Sequence, residues 1–492
     1  MTTNFTTAPG LSHSASANAA VTHTKSAEKR HGGHKTPLTP RGRALPSWSA
    51  SVVYSAAWLV MLFVLYLWTQ AGGVQSLLDD PASSESLNSL GRLLGLIASA
   101  ALLIQVLLMA RIPIMEEALG HDRLTYMHRI LGFSSFFLML AHIVLVVFAQ
   151  VDLTDNPAVG FIDTFWDMTW NYPGMLMAVA GTVALIMVVL TSIKAARSSM
   201  RYENWHLIHL YAYLGVAFAL PHQLWTGTSF LSSPLAQTFW WGLWIASAGS
   251  VIVYRLLLPA FVSLRHDLRV ESISFPATPG AEPLVRVVLR GRKLNRMRVA
   301  GGQFFNFRFA GAGVTRALPL SLSADPTAER LEITAAVRGP KTTRLASLKP
   351  GTRVFIEGPY GRFHKYAKAY TNTAFIASGT GIMPIISLME SMGEQTRGAV
   401  LILRAGNVET SPYFARVQQL TQQLGVKVVV MGGSRKDLTY RPVALSQAFS
   451  KIIPNIARTD VFICGSTGWM NLATSAARKA GAGTIHAEKF SI

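Results

Sequence analysis

Six stretches of the chain are almost continuously apolar, at about 50–69, 92–110, 128–149, 173–193, 206–225 and 238–261. Each is close to the ~20 residues that a helix needs to cross ~30 Å of hydrocarbon. The pattern therefore predicts a six-helix transmembrane bundle, with the fifth run the least apolar. After residue 265 the period changes. "LVRVVLRG", "QFFNFRF", "LEITAAVRG" and "TRVFIEG" alternate in strand fashion between Gly and Pro turns, which predicts a small antiparallel β-barrel. From Asn372 onward "TAFIAS", "AVLILRAG", "VKVVVMGG" and "DVFICGS" are short apolar strands separated by helical stretches, the signature of a parallel α/β layer. The expected division is a disordered arm at 1–46, a membrane domain at 47–263, a barrel at 264–368 and an α/β domain at 369–492.

Composition agrees with a multi-domain membrane protein: of 492 residues half are hydrophobic and 14% are charged. A formal net charge of +20 raises nucleic acid as a partner, but the basic residues flank apolar runs and form no aromatic-basic module, so that class is set aside. Lys29, Arg30, Lys35, Arg41 and Arg43 precede the first run, Lys194, Arg197 and Arg201 follow the fourth, and Arg265 and Arg269 follow the sixth. Asp79, Asp80, Glu85, Asp152, Asp155, Asp163 and Asp167 occupy the opposite loops. Positive-inside bias then predicts a multi-pass protein of the cell membrane with both termini and the soluble half in the cytoplasm. A single cysteine, Cys464, excludes an internal disulfide framework.

Histidines inside the apolar runs carry the candidate chemistry, because an imidazole in lipid is disfavoured unless it has a partner. His128 and His142 are 14 positions apart in the third run, which puts them on one helix face ~21 Å apart along the axis. The fifth run carries His206, His209 and His222, and His209 to His222 is nearly the same rise. Two matched pairs on spans that cross in the same direction suit axial ligation of two stacked haems; satisfied core histidines are the plainer alternative. Thirteen residues turn His222 ~140° from His209 on an ideal helix, so the pairing predicts a kink or π-bulge at Pro221. Arg92 and Arg111 open and close the second run at the two depths where haem propionates need cations, although either also suits snorkelling to headgroups.

On "GRLLGL" (91–96), "RIP" (111–113) and the histidine pairs, residues 48–492 resemble the ferric reductase and NADPH oxidase superfamily in its bacterial single-chain form. The resemblance implies two b-type haems, the inner held by His128 and His209 and the outer by His142 and His222, with Arg111 and Arg92 at the respective propionates. It implies an FAD-binding barrel in which "LPLSLSA" (318–324) stands for the family's flavin motif. Pro319, Ser321, Leu322 and Ser323 match, while Leu318 and Leu320 replace the His and the aromatic; a missing stacking face costs about 1 kcal/mol. Gly339, Thr342 and Thr343 in "GPKTTR" suit a pyrophosphate at a helix N-terminus, and "EGPYG" (357–361) is a second motif of the barrel.

In the last domain "ASGTGIMP" (377–384) follows a strand and opens a helix, so Gly379, Thr380, Gly381 and Pro384 suit the diphosphate of NADPH or NADH. Cys464 and Gly465 in "CGS" would lie against the nicotinamide. Phe490 resembles the aromatic that covers the flavin, with Glu488 close by. Arg404, Ser434 and Arg435 suit a 2′-phosphate, which favours NADPH. The implied activity is electron transfer from cytoplasmic NAD(P)H through FAD and both haems to an acceptor outside the membrane. Ferric chelates come first, because Val146 stands where oxygen-reducing relatives carry a polar residue. Dioxygen reduced to superoxide or hydrogen peroxide is the alternative, an extracytoplasmic acceptor protein is a third partner class, and a haem-binding membrane sensor or scaffold is the reading from another class.

Overall fold

The structure is a computed structural model that describes residues 5–6, 48–151, 157–276, 283–311, 317–405, 413–433 and 440–488. Apart from Phe5–Thr6, the arm expected at 1–46 lies outside the described residues, as do Asp152, Asp155, Ser434, Arg435 and Phe490. The chain divides into two compact units, Leu45–Leu257 and Leu258–Ile492 with the N-terminal residues.

In the first unit the long helices are Ser49–Gln70, Ser84–Met109, His121–Phe148, Met175–Ser192, Tyr202–Trp225 and Pro234–Val251. Among the described residues five helices are long and apolar enough to cross a membrane, namely Ser49–Gln70, Ser84–Met109, Arg123–Phe148, Met175–Ser192 and Pro234–His266. Tyr202–Trp225 has the length, at 24 residues, but Asn204, three histidines and Gln223 dilute its apolar character. Ser84–Met109 is the hub: 44% of its apolar window is buried, against 6–17% for the other four. Its start is set by Ser83, whose side chain accepts from the Ser86 amide, a standard N-cap. Small residues decide which helices touch. A Cβ on Gly181 would stand 2.7 Å from the Gly215 carbonyl, and one on Gly215 would stand 2.9 Å from Leu185 Cγ, so Met175–Ser192 and Tyr202–Trp225 meet at backbone distance.

The second unit holds two sheets. Phe5–Thr6 forms β1, and the strands β2 (Leu268–Ser274), β3 (Leu284–Arg290), β4 (Phe304–Phe309), β5 (Leu318–Ser321), β6 (Arg330–Ala336) and β7 (Arg353–Tyr360) precede β8 (Asn372–Ser378), β9 (Val400–Arg404), β10 (Lys427–Met431), β11 (Thr459–Cys464) and β12 (Thr484–Ala487). The antiparallel sheet runs β5-β4-β7-β2-β3-β6. It curls on itself until Leu322 bridges Ile333 beside its two outer strands. Alternation along β4 puts Phe305, Phe307 and Phe309 inside. The other sheet runs β1-β10-β9-β8-β11-β12, parallel except for β1, which pairs antiparallel with β10. Strand β11 is buried along its whole length because helices cover both faces. Strand β8 lies between β9 and β11, so the crevice beyond its C-terminal end is where doubly wound sheets take ligands.

One buried carboxylate ties the two sheets' connecting segment to the α/β layer. Asp460 is fully buried; it accepts from the amides of Ala369 and Tyr370 at 3.0 and 2.7 Å and lies 2.9 Å from His486 Nε2. Replacing it by Ala leaves the two amides and the buried His486 ring without their partner, so Asp460→Ala is expected to cost about 3 kcal/mol. Chemical denaturation of the detergent-solubilised protein checks this, and a loss under half a kcal/mol contradicts it.

Candidate functional site

The membrane histidines are built into the first unit by glycines and carbonyls. A Cβ at Gly95 would lie 2.7 Å from His142 Nδ1, and one at Gly91 would lie 2.8 Å from Val146 Cγ2. The glycine pair in "GRLLGL" therefore makes the groove in which His142 sits. The freed backbone also binds the ring: His142 Nδ1 is 2.8 Å from the Gly91 carbonyl. Further along the same helix the Gln105 carbonyl lies 3.3 Å from His128 Nδ1. A carbonyl only accepts, so both rings carry their proton on Nδ1 and keep an Nε2 lone pair for a metal.

On the opposing helix His209 meets His128 with ring centroids 5.9 Å apart. Two imidazoles on one metal, at about 2.0–2.1 Å per bond, have centroids about 6 Å apart, so this spacing fits a shared iron. His222 lies within electrostatic range of His142. Its Nδ1 is buried and makes no hydrogen bond of normal geometry. The bulge expected at Pro221 does not occur, since the α-helical pattern runs unbroken from Tyr202 to Trp225 with Pro221 inside it. A π-type turn sits instead at Ile252–Leu257. An unbroken helix through 209–222 counts against the pairing of His222 with His142 on the same face as His209. Among the described residues no cluster of three or more His, Cys, Asp or Glu side chains forms a metal cage; axial ligation of haem needs only two.

The two arginines differ. Arg92 Nε is buried without a hydrogen bond, and its Nη1 reaches Thr228 Oγ1 at 3.5 Å, an arrangement open to an anion. Arg111 sits in the left-handed region, with φ 65°, and donates to Glu116 Oε1 at 3.0 Å. The propionate role expected for Arg111 thus competes with a carboxylate of the chain itself.

In the curled sheet, alternation along β5 turns Leu318 and Leu320 into the core with Leu322. Neither leucine offers a face for ring stacking. Pro319 and Ser321 alternate to the other side, where Ser321 Oγ is buried without a hydrogen bond; it fits a cofactor's polar edge. Ser323 is held inside by Thr334, whose Oγ1 donates to it at 2.9 Å. The hydroxyls of the helix Gly339–Ala346 bond within its own first turn: Thr342 Oγ1 to the Arg338 carbonyl at 2.9 Å and Thr343 Oγ1 to the Gly339 carbonyl at 2.9 Å.

The nucleotide motifs converge. Gly379, with φ 57° and open space around its Cα, turns the chain out of β8. A Cβ on Gly381 would stand 2.5 Å from the Cys464 carbonyl carbon and the Gly465 nitrogen. "GTG" and "CGS" are thus packed backbone to backbone at the end of β8 and β11. Pro384 falls in the first turn of the helix Ile382–Met392, where its missing N–H has no partner to lose. Cys464 is fully buried, and burial, with the Glu488 carboxylate nearby, pushes its thiol well above the usual range; it is a neutral group. Glu488 accepts from the amides of Arg362 and Phe363, the latter at 3.2 Å, which brings the end of the chain onto the segment after "EGPYG". Arg404 donates to the Gly433 carbonyl at 3.2 Å and lies over the Tyr440 ring, with its Nε unpartnered.

The family model for the ferric reductase like transmembrane component matches residues 94–220, a stretch containing His128, His142 and His209. A probable cell surface ferric reductase of Aspergillus oryzae is 25% identical over 311 residues, covering 59% of this chain and 39% of that protein. The membrane half of the chain is thus similar to ferric reductases. The soluble half of the chain is similar to reductase components. The ferredoxin reductase component of the 3-ketosteroid-9-alpha-monooxygenase of Mycolicibacterium smegmatis is 27% identical over 224 residues, covering 43% of this chain and 62% of that protein. A ferredoxin-NADP+ reductase structure from Plasmodium falciparum with 2'P-AMP superposes with TM-score 0.38 at 14% identity, covering 46% of this chain and 97% of that one.

Two features of the chain have no sequence signal: the carbonyls that hold His128 and His142, and His364 on the segment after "EGPYG". The ring of His364 has a buried, unpartnered Nδ1, and burial, with His486 and Arg362 adding repulsion, lowers its pKa from 6.5 to about 4. Between those values the unfolded chain binds the extra proton, so stability is whole above pH 6.5 and falls towards pH 4, by at most roughly 3 kcal/mol. Thermal scans at pH 7 and pH 5 check this; His364→Leu is expected to flatten the dependence, and an unchanged slope contradicts it. Gly381→Ala forces the two nucleotide motifs apart. It is expected to lower NADPH-dependent dye reduction about 100-fold without changing the content of other bound pigments.

Proposed function

We propose that the chain is a multi-pass membrane oxidoreductase that takes electrons from cytoplasmic NAD(P)H through FAD and two b-type haems to an acceptor outside the membrane, ferric chelates foremost. FAD supplies the exchange between two-electron and one-electron chemistry, and haem iron supplies the one-electron stations. The observation that carries the reading is the facing imidazoles of His128 and His209 on two membrane helices, with His128 and His142 held at Nδ1 by backbone carbonyls and Nε2 left to ligate. His128 with His209 would hold the inner haem and His142 with His222 the outer one, with Arg92 beside the outer propionates.

The soluble residues have separate tasks. Gly379, Thr380 and Gly381 let the backbone approach the coenzyme diphosphate at a helix N-terminus. Neutral Cys464 and Gly465 would form the floor under the nicotinamide, and Glu488 would orient the segment beside it. Ser321 would bond the flavin edge, while Leu318 and Leu320, turned inward, leave the isoalloxazine without a stacked aromatic from β5. Arg404 would face the 2′-phosphate together with Ser434 and Arg435, which favours NADPH. The six-span count includes Tyr202–Trp225, whose Gln223 donates to Ser99 on the helix Ser84–Met109. Positive-inside charge puts both termini on the NADPH side.

Val146 bears on the acceptor. Its Cγ2 packs where a Cβ on Gly91 would be, 2.8 Å away, so hydrocarbon fills the position that carries a polar group in oxygen-reducing relatives. Sealed vesicles loaded with NADPH and given an external ferric chelate test the proposal. Fe(II) trapped by ferrozine outside the vesicle is expected. Stoichiometric superoxide without Fe(II) supports the oxidase alternative, and bound haem that NADPH never reduces supports a sensor or scaffold; either result overturns the ferric reductase reading.

A further inference from the structure

We propose that Ser192 and Trp205 are positioning residues for the inner histidine pair, fixing His209 with its proton on Nδ1 and its Nε2 lone pair open to a metal. The inference rests on the haem reading above. Three contacts converge on one hydroxyl. Ser192 Oγ lies 2.7 Å from the Val188 carbonyl oxygen, 3.3 Å from Trp205 Nε1 and 3.3 Å from His209 Nδ1. A serine hydroxyl has one hydrogen and two lone pairs. The carbonyl only accepts and is much the nearest partner, so the hydrogen points there. An indole nitrogen only donates, which occupies one lone pair. The imidazole is left with the second lone pair, and it can use that only as an Nδ1–H donor. The other tautomer would set a ring lone pair against an oxygen lone pair.

Trp205 also braces the ring itself. Its indole lies over His209 with centroids 5.0 Å apart and planes inclined by 31°. The Arg197 guanidinium sits 4.4 Å from the centre of the Trp205 ring, a cation–π contact that polarises the indole N–H towards Ser192. His222 has no side-chain device of this kind: the Ala219 carbonyl of its own helix lies near the ring, outside normal hydrogen-bond geometry at Nδ1. The two pairs are therefore unequal. A hydrogen bond accepted from Nδ1–H makes the ligating nitrogen more basic and favours oxidised iron, so its loss raises the midpoint of one haem and leaves the other alone.

The test uses the full-length, haem-loaded protein in spectroelectrochemical titration and low-temperature EPR. Ser192→Ala is expected to raise one haem midpoint and shift one low-spin signal while the second haem keeps both values. Ser192→Thr, which retains the hydroxyl, is expected to restore them, and Trp205→Phe to give a smaller shift in the same direction. A wild-type protein with two haems whose midpoints and signals are unmoved by Ser192→Ala overturns this inference alone. Lower haem content with unmoved midpoints does the same, because that marks a merely structural role. A wild-type protein without haem overturns the underlying reading as well. Should Ser192→Ala fail to fold, Trp205→Phe decides, and an unmoved inner haem there overturns the inference.

Discussion

An imidazole inside a membrane helix is tolerated only when each of its nitrogens has somewhere to go. In this chain the constraint is met on one side by the protein: carbonyls of Gly91 and Gln105 face His142 and His128, and the Ser192 hydroxyl faces His209. Carbonyls in a helix ladder reach a neighbouring ring only if the helices approach closely, and that requires the missing side chains of Gly91 and Gly95. Histidine placement, tautomer and helix packing are thus one problem with one solution. A side chain at Gly95 would strike the His142 ring itself, and one at Gly91 would strike Val146 and loosen the helix contact that brings the Gly91 carbonyl to that ring.

The soluble unit uses the same device for a different end. Gly381 abuts the Cys464–Gly465 peptide, so the turn after β8 and the turn after β11 close into one ligand-facing edge at the switch point of the sheet. The neighbouring acids and histidines are buried for structural reasons as much as chemical ones. Asp460 holds the segment that joins the two sheets, and Glu488 returns the chain to the loop after β7.

Much of this was legible in the linear pattern. Apolar runs of helical length, strands with period two, and short buried strands before Gly-rich turns survive because each reflects a local burial requirement. The histidines stood out because ionisable groups are rare in such runs. The misses have physical causes. Nδ1 partners at Gly91 and Gln105 are backbone atoms and have no letter of their own. The strands β1 and β12 are too short to show alternation. A kink or π-bulge was expected at Pro221; no π-bulge stands there, and the π-type turn falls at Ile252–Leu257. Leu318 and Leu320 read as substitutions at a cofactor face, whereas strand alternation turns them into the core.

The central claim is that paired imidazoles at two depths hold redox centres connected to the nucleotide site. An anaerobic optical spectrum of the purified full-length chain, expressed with ample porphyrin supply and mixed with NADPH, tests it most directly. The account predicts an oxidised Soret band that moves to the reduced position after the flavin bleaches, and that is lost when His128 and His142 are both replaced. A colourless protein, or a Soret band that NADPH leaves unchanged while dithionite reduces it, would contradict the account.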